Sequence, residues 1–130
     1  MNIIDHLSIG VPDIKQATSF YDGLMETLSC KRLATSDGFA AYGKDTVQFL
    51  LMLPADGQAY TPGNGTHICF AANTRDSVEA FHAFAVENGG QCEGQPGPRP
   101  EYPIPNVYTT FVRDPFGHKL EVIFNGFSTY

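Results

Sequence analysis

The chain has 130 residues, of which 42% are apolar and 17% charged, and it carries a formal net charge of −6. This is the make-up of one ordinary globular domain, long enough to bury roughly two-thirds of the surface its unfolded form exposes. The eight Lys and Arg are scattered rather than clustered, which argues against a nucleic-acid partner and against docking on an anionic membrane.

No apolar run approaches the ~18 residues of a membrane span, and residues 1–5 are not a basic region leading into an apolar core, so no signal peptide is expected. Cys30, Cys69 and Cys92 are an odd number at spacings that match no zinc or redox motif. They read as reduced thiols, which points to the cytoplasm.

In chain order, residues 3–11 alternate as a half-buried strand does, with Leu7, Ile9 and Val11 on one face and Ile4, His6 and Ser8 on the other. Pro12-Asp13 ends that strand and opens a helix over about 13–28, where Ile14, Ala17, Phe20, Tyr21 and Leu24 form a 3.6-period stripe. Three short strands are expected near 30–35, 38–43 and 46–53, separated by the turn-forming Ser36-Asp37-Gly38 and Gly43-Lys44-Asp45. Residues 54–65, rich in Pro and Gly, make a connection.

A second strand–helix pair follows at 66–72 and about 74–88, capped by Asn73 or Thr74 and stopped by Gly89-Gly90. A strand is expected near 90–93. The segment 94–106 holds five prolines, which rule out a central strand and predict a long ordered loop or lid. The chain closes on a hairpin, strands 107–113 and 118–125 around the tight turn Asp114-Pro115-Phe116-Gly117.

The two halves repeat. His6 and His67 occupy equivalent strand positions 61 residues apart, with Phe20 and Phe81 each fourteen positions beyond. Ala17 pairs with Val78, Tyr21 with His82, Leu24 with Ala85 and Glu26 with Glu87. Such self-similarity marks two copies of one supersecondary unit. The expected fold is α+β: two βαβββ modules, about 1–53 and about 66–126 within one domain of residues 1–130, whose eight strands curve into a cup-shaped mixed sheet with helices on the outer face.

Leu120, Val122 and Phe124 alternate with Lys119, Glu121 and Ile123 in the last strand, so packing the first set on the helices turns Glu121 to the cup. The same parity turns His6 and His67 there. Two imidazoles and a carboxylate suit a zinc site, or a facial triad for iron or manganese. An inward Glu121 without a cation carries a large desolvation cost, although Lys119 on the same face is an alternative partner. His82 and His118, on a helix and on the opposite parity, are expected to be structural.

These residues resemble the vicinal oxygen chelate superfamily, which groups glyoxalase I, fosfomycin-resistance transferases, extradiol dioxygenases and bleomycin-resistance proteins. The likeness rests on His6-Leu7-x-Ile9-x-Val11-x-Asp13 with Phe20-Tyr21, on Gly65-Thr66-His67-Ile68, and above all on the run from Phe111 to Glu121 (FVRDPFGHKLE). It implies one divalent ion (Zn, Mn, Fe or Ni) held by His6, His67 and Glu121, with Glu121 also the one evident catalytic base. It implies a homodimer, a small-molecule substrate with vicinal oxygens, and lyase, isomerase, dioxygenase or thiol-transferase chemistry. The alternative in the same superfamily is a metal-free protein that sequesters a small molecule.

Glyoxalase I members supply a fourth ligand, a glutamate, from the strand matching 46–53, where Gln48 is the only polar candidate here. A neutral amide binds metal poorly, so the three-ligand members fit better. Substrate contacts are expected from Ser8, Gln48, Arg99, Tyr102 and Tyr108. For Ser8 a plain rim hydroxyl is an equal reading, and for Arg99 a simple ion pair with a carboxylate is the alternative. Cys69, two residues beyond His67 on the same face, is expected to line the wall.

Overall fold

The computed structural model describes residues 3–128. The chain divides into two compact units, Met1–Pro62 and Gly63–Tyr130, and each is an α+β module with one helix and one four-stranded mixed sheet.

The first unit contains β1 (Leu7–Gly10), α1 (Ile14–Glu26), β2 (Lys31–Thr35), β3 (Phe39–Gly43) and β4 (Phe49–Met52). Its sheet order is β1-β4-β3-β2, with β1 and β4 parallel and the other pairs antiparallel. Asp13 caps α1, its carboxylate accepting from Gln16 N at 2.7 Å, which satisfies one of the unpaired amides of the first turn. The apolar stripe of α1 packs on the sheet: Ala17, Tyr21 and Leu24 are fully buried together with Tyr42, Phe49 and Leu51. Tyr21 and Phe49 meet in a tilted ring contact with centroids 5.5 Å apart.

The second unit contains β5 (His67–Ala71), α2 (Arg75–Glu87), β6 (Gln91–Pro98), β7 (Tyr108–Arg113) and β8 (Lys119–Phe124). Its order is β5-β8-β7-β6, with the same single parallel pair, β5 with β8. The cap of α2 is Thr74, whose hydroxyl accepts from Ser77 N at 3.1 Å. Both helices have 13 residues and start 61 positions apart, at Ile14 and Arg75, so the sequence repeat is a structural repeat down to its caps. Val78, Phe81 and Ala85 are buried against Val112, Leu120 and Val122.

Three elements differ from the sequence expectation. The first strand begins only at Leu7, leaving residues 3–6 outside it, because the ladder starts where Leu7 N donates to Gln48 O. The fourth strand is shorter than 46–53. Gln48 N still bonds back to Tyr42 O, and the turn passes so close to Gly43 that an added Cβ would lie 1.8 Å from Thr46 O. Finally, the strand expected at 90–93 runs on to Pro98 through two register shifts. Its prolines are tolerated because β6 is the edge strand of its sheet among the described residues, so the lid is confined to about 99–106.

The closing hairpin turn is held by a buried carboxylate. Asp114 accepts from Phe116 N at 2.9 Å and His118 N at 2.8 Å, and its own carbonyl accepts from Gly117 N. Arg113 donates to Gly117 O. Gly117 has φ +91°, a left-handed conformation that glycine adopts without a Cβ penalty. This turn fixes where β8, and so Glu121, enters the sheet.

Candidate functional site

Parallel pairing of β5 with β8 sets Cys69 opposite Glu121 and His67 opposite Lys119. Because side chains alternate across a strand, His67, Cys69 and Glu121 share the sheet face away from α2. His67 Nε2 lies 3.2 Å from Glu121 Oε1. The Glu121 side chain is 5% exposed, whereas that of His67 is 46% exposed, so the carboxylate sits at the floor and the imidazole at the mouth.

The other carboxylate oxygen is held from two sides. Tyr102 donates its phenol to Glu121 Oε2 at 2.7 Å, and Thr109 Oγ1 lies 2.8 Å from the same atom. A buried ionised carboxylate needs such donors to offset its lost hydration. Burial, then the bond to Glu121, pushes the Tyr102 phenol well above its ordinary pKa. Desolvation, then the charge of Glu121, does the same to the Cys69 thiol. Both groups therefore stay protonated donors at neutral pH, and Cys69 is no ready nucleophile.

These side chains open into a cavity of about 580 Å³, lined also by Asn73, Ile123, Phe124, Asn125 and Phe127. Its size suits a small ligand. The rim is tied down where Asn125 Nδ2 donates to Asn106 O.

Of the residues singled out from sequence, the second unit thus assembles His67, Glu121 and Tyr102, with Cys69 as wall. Arg99 is turned onto its own segment, its guanidinium donating to the carbonyls of Gln95, Gly97 and Pro98. Tyr108 has the opposite parity from Thr109, and its phenol donates to Glu79 on α2. Lys119 lies over the Phe111 ring instead of pairing with Glu121. His118 is buried beside the closing turn.

In the first unit, His6 stands just ahead of β1 with a half-exposed ring, Nδ1 2.7 Å from the Asp5 carboxylate. Ser8 lines a hollow of the first unit with Gly10, Met52 and Tyr60, and Gln48 is exposed. The registers refine the fourth-ligand question. Ser8 faces Leu50 across β1 and β4 as Cys69 faces Glu121 across β5 and β8. Leu50, not Gln48, is therefore the first unit's counterpart of Glu121, and it has no donor atom.

Thr109 was missed in the sequence. Its signal was available only through pairing: Thr109 and Glu121 share a face of adjacent strands once the Asp114 turn fixes the register. Asn73 and the tail residues 125–127 were missed because nothing in a polar turn or terminal segment marks it as cavity lining.

The fold and site together define a two-module α+β protein in which a His–Glu pair lines a cavity of small-molecule size, the carboxylate at its floor and the imidazole at its mouth. The profile of the Glyoxalase/Bleomycin resistance protein/Dioxygenase superfamily matches residues 3–122, and the chain belongs to that superfamily. A glyoxalase/bleomycin resistance protein from Albidiferax ferrireducens T118 is 32% identical with a TM-score of 0.85, covering 96% of this chain and 100% of its own. A glyoxalase-related enzyme from Fulvimarina pelagi shares the fold at 18% identity and a TM-score of 0.71, over 96% and 89% of the two chains. A family enzyme from Burkholderia phytofirmans PsJN does so at 14% identity and 0.69, over 92% and 95%. No protein of curated function matches the sequence.

The donor chemistry fits a divalent ion in part. Imidazole and carboxylate donors each about 2.1 Å from one ion stand roughly 3.0–3.4 Å apart, and His67 Nε2 and Glu121 Oε1 are separated by 3.2 Å. Among the described residues, no three His, Cys, Asp or Glu side chains gather around one point, so this arrangement offers two of the donors a metal needs.

Proposed function

We propose that this protein is a metal-dependent enzyme of the glyoxalase/dioxygenase type, acting on a small molecule with two adjacent oxygens. The observation that carries the reading is the His67–Glu121 pair, two donors at ligand spacing that line the cavity. When bound, a divalent ion would act as a Lewis acid on those oxygens. His67 and Glu121 Oε1 would hold it, while Ile123, Phe124 and Phe127 would give the substrate an apolar wall.

His6 is the third donor in this proposal, supplied by a second copy of the chain in a homodimer. Supporting this, Ile3, Ile4 and Leu7 around it are left exposed, a cluster of apolar side chains that a partner would cover. The three cysteines are free thiols, in keeping with a cytoplasmic setting.

Purification without chelator followed by elemental analysis tests the reading. A stoichiometric divalent ion is expected, lost from His67→Ala, Glu121→Ala and His6→Ala but kept in His118→Ala. A metal-free preparation that still binds small diols or diketones would replace it with the second reading, a sequestering protein. One observation favours that second reading: protein donors already satisfy the Glu121 charge without a cation.

A further inference from the structure

Glu121 is not a free carboxylate, and the way it is held restricts what it can do. Oε2 receives the Tyr102 phenol at 2.7 Å and lies 2.8 Å from the Thr109 hydroxyl. Thr109 has one proton and two acceptors in reach, since Val122 O is 2.7 Å away. The charged carboxylate is the stronger of the two. Oε1 instead points to His67. A carboxylate that coordinates through both oxygens must aim both at the ion, which these two hydroxyls prevent.

We propose, resting on the metal reading above, that Tyr102 and Thr109 are positioning residues that lock Glu121 as a single-oxygen donor, with Oε1 committed to the ion and Oε2 to the protein. Thr109 is fully buried on β7, so its hydroxyl is a fixed part of the sheet. Tyr102 comes from the 99–106 segment, so that rim is fastened to the floor by the same carboxylate. Two consequences follow. Glu121 cannot serve as the general base while both hydroxyls hold it, and loss of either one frees the carboxylate to rock onto the ion with both oxygens.

The test titrates Zn²⁺ calorimetrically into metal-stripped protein and records X-ray absorption spectra of the zinc-loaded forms. Tyr102→Phe and Thr109→Val are expected to weaken Zn²⁺ binding about tenfold or more, the usual range for partners of a metal ligand. Their spectra should gain a second, longer zinc–oxygen distance. Thr109→Ser, which keeps the hydroxyl, should restore wild-type affinity and spectrum. Tyr108→Phe removes a phenol on the opposite face and should change neither. Circular dichroism melts check folding; if Thr109→Val fails to fold, Tyr102→Phe on the surface segment carries the same comparison. Wild-type protein that binds Zn²⁺ beside variants with unaltered affinity and spectrum overturns the positioning role and leaves the metal reading intact. Wild-type protein that binds no Zn²⁺ overturns both.

Discussion

His82 occupies the slot where the first module places Tyr21, a fully buried ring. Its Nε2 is buried with no hydrogen-bond partner among the described residues, and burial lowers its pKa. An imidazole nitrogen left dry costs free energy in the folded state that water recovers on unfolding. His82→Phe keeps the ring and removes the nitrogen, so it should stabilise the protein by about 1 kcal/mol in urea denaturation at pH 8. The pH dependence has a definite sign. The folded pKa lies below the unfolded value of about 6.5, so the unfolded chain takes up a proton first. Native stability is therefore unaffected above that pH and falls as pH drops through it. The advantage of the Phe variant should widen below about pH 6.5; a constant difference between pH 8 and pH 5 would contradict the account. Tyr102, Cys69 and Thr109 show a related lesson. Each is ordinary in sequence and acquires its character only from the carboxylate it meets.

At the scale of elements, the Asp114 turn is the piece on which the site depends most. Its buried carboxylate holds two backbone amides, and charge-assisted bonds of this kind are the stronger class. Asp114→Ala should cost about 3 kcal/mol, since it strands both amides, and Asp114→Asn distinctly less because one acceptor remains. Urea midpoints at constant slope measure both. Gly43→Ala should also destabilise, because the Thr46 carbonyl occupies the space its methyl needs; a wild-type midpoint would show that the 43–48 turn relaxes freely. Helices were the most legible elements: α1 and α2 start and stop within about two residues of their expected limits, since apolar period and cap act locally. Strand limits were less so. Nothing before Leu7 could announce that the ladder begins there, because that depends on a partner forty residues away in sequence. The prolines of β6 excluded a central strand correctly, yet edge placement is a property of the sheet and lies outside the local pattern.

For the whole molecule, the repeat, both βαβββ modules, the superfamily, and the shared sheet face of His67 and Glu121 were readable from the chain alone. Arg99 and Tyr108 were not, because their alternatives (carbonyls of the same segment, a carboxylate on α2) are fixed only by tertiary packing. Among the described residues no helix is long and apolar enough to cross a membrane. The proposed dimer yields a prediction about assembly. His6→Ala and Glu121→Ala, each inactive in metal binding alone, should recover up to half of the wild-type zinc capacity when mixed and re-assembled. Each mixed dimer would then hold one intact site and one doubly broken site. No recovery in dimers proven mixed by mass spectrometry would mean that one chain supplies all three donors.

The register relation between Leu50 and Glu121 has an evolutionary reading. A duplicated module that kept its carboxylate twice would have had to hydrate or neutralise two sunken charges, each with its own retinue of hydroxyls. Here one copy carries the acid with its attendants, and the other carries a hydrocarbon side chain that asks for none. In this duplicated scaffold the cost of a sunken charge falls on one module alone, and the other needs no hydroxyls to shelter one at that position.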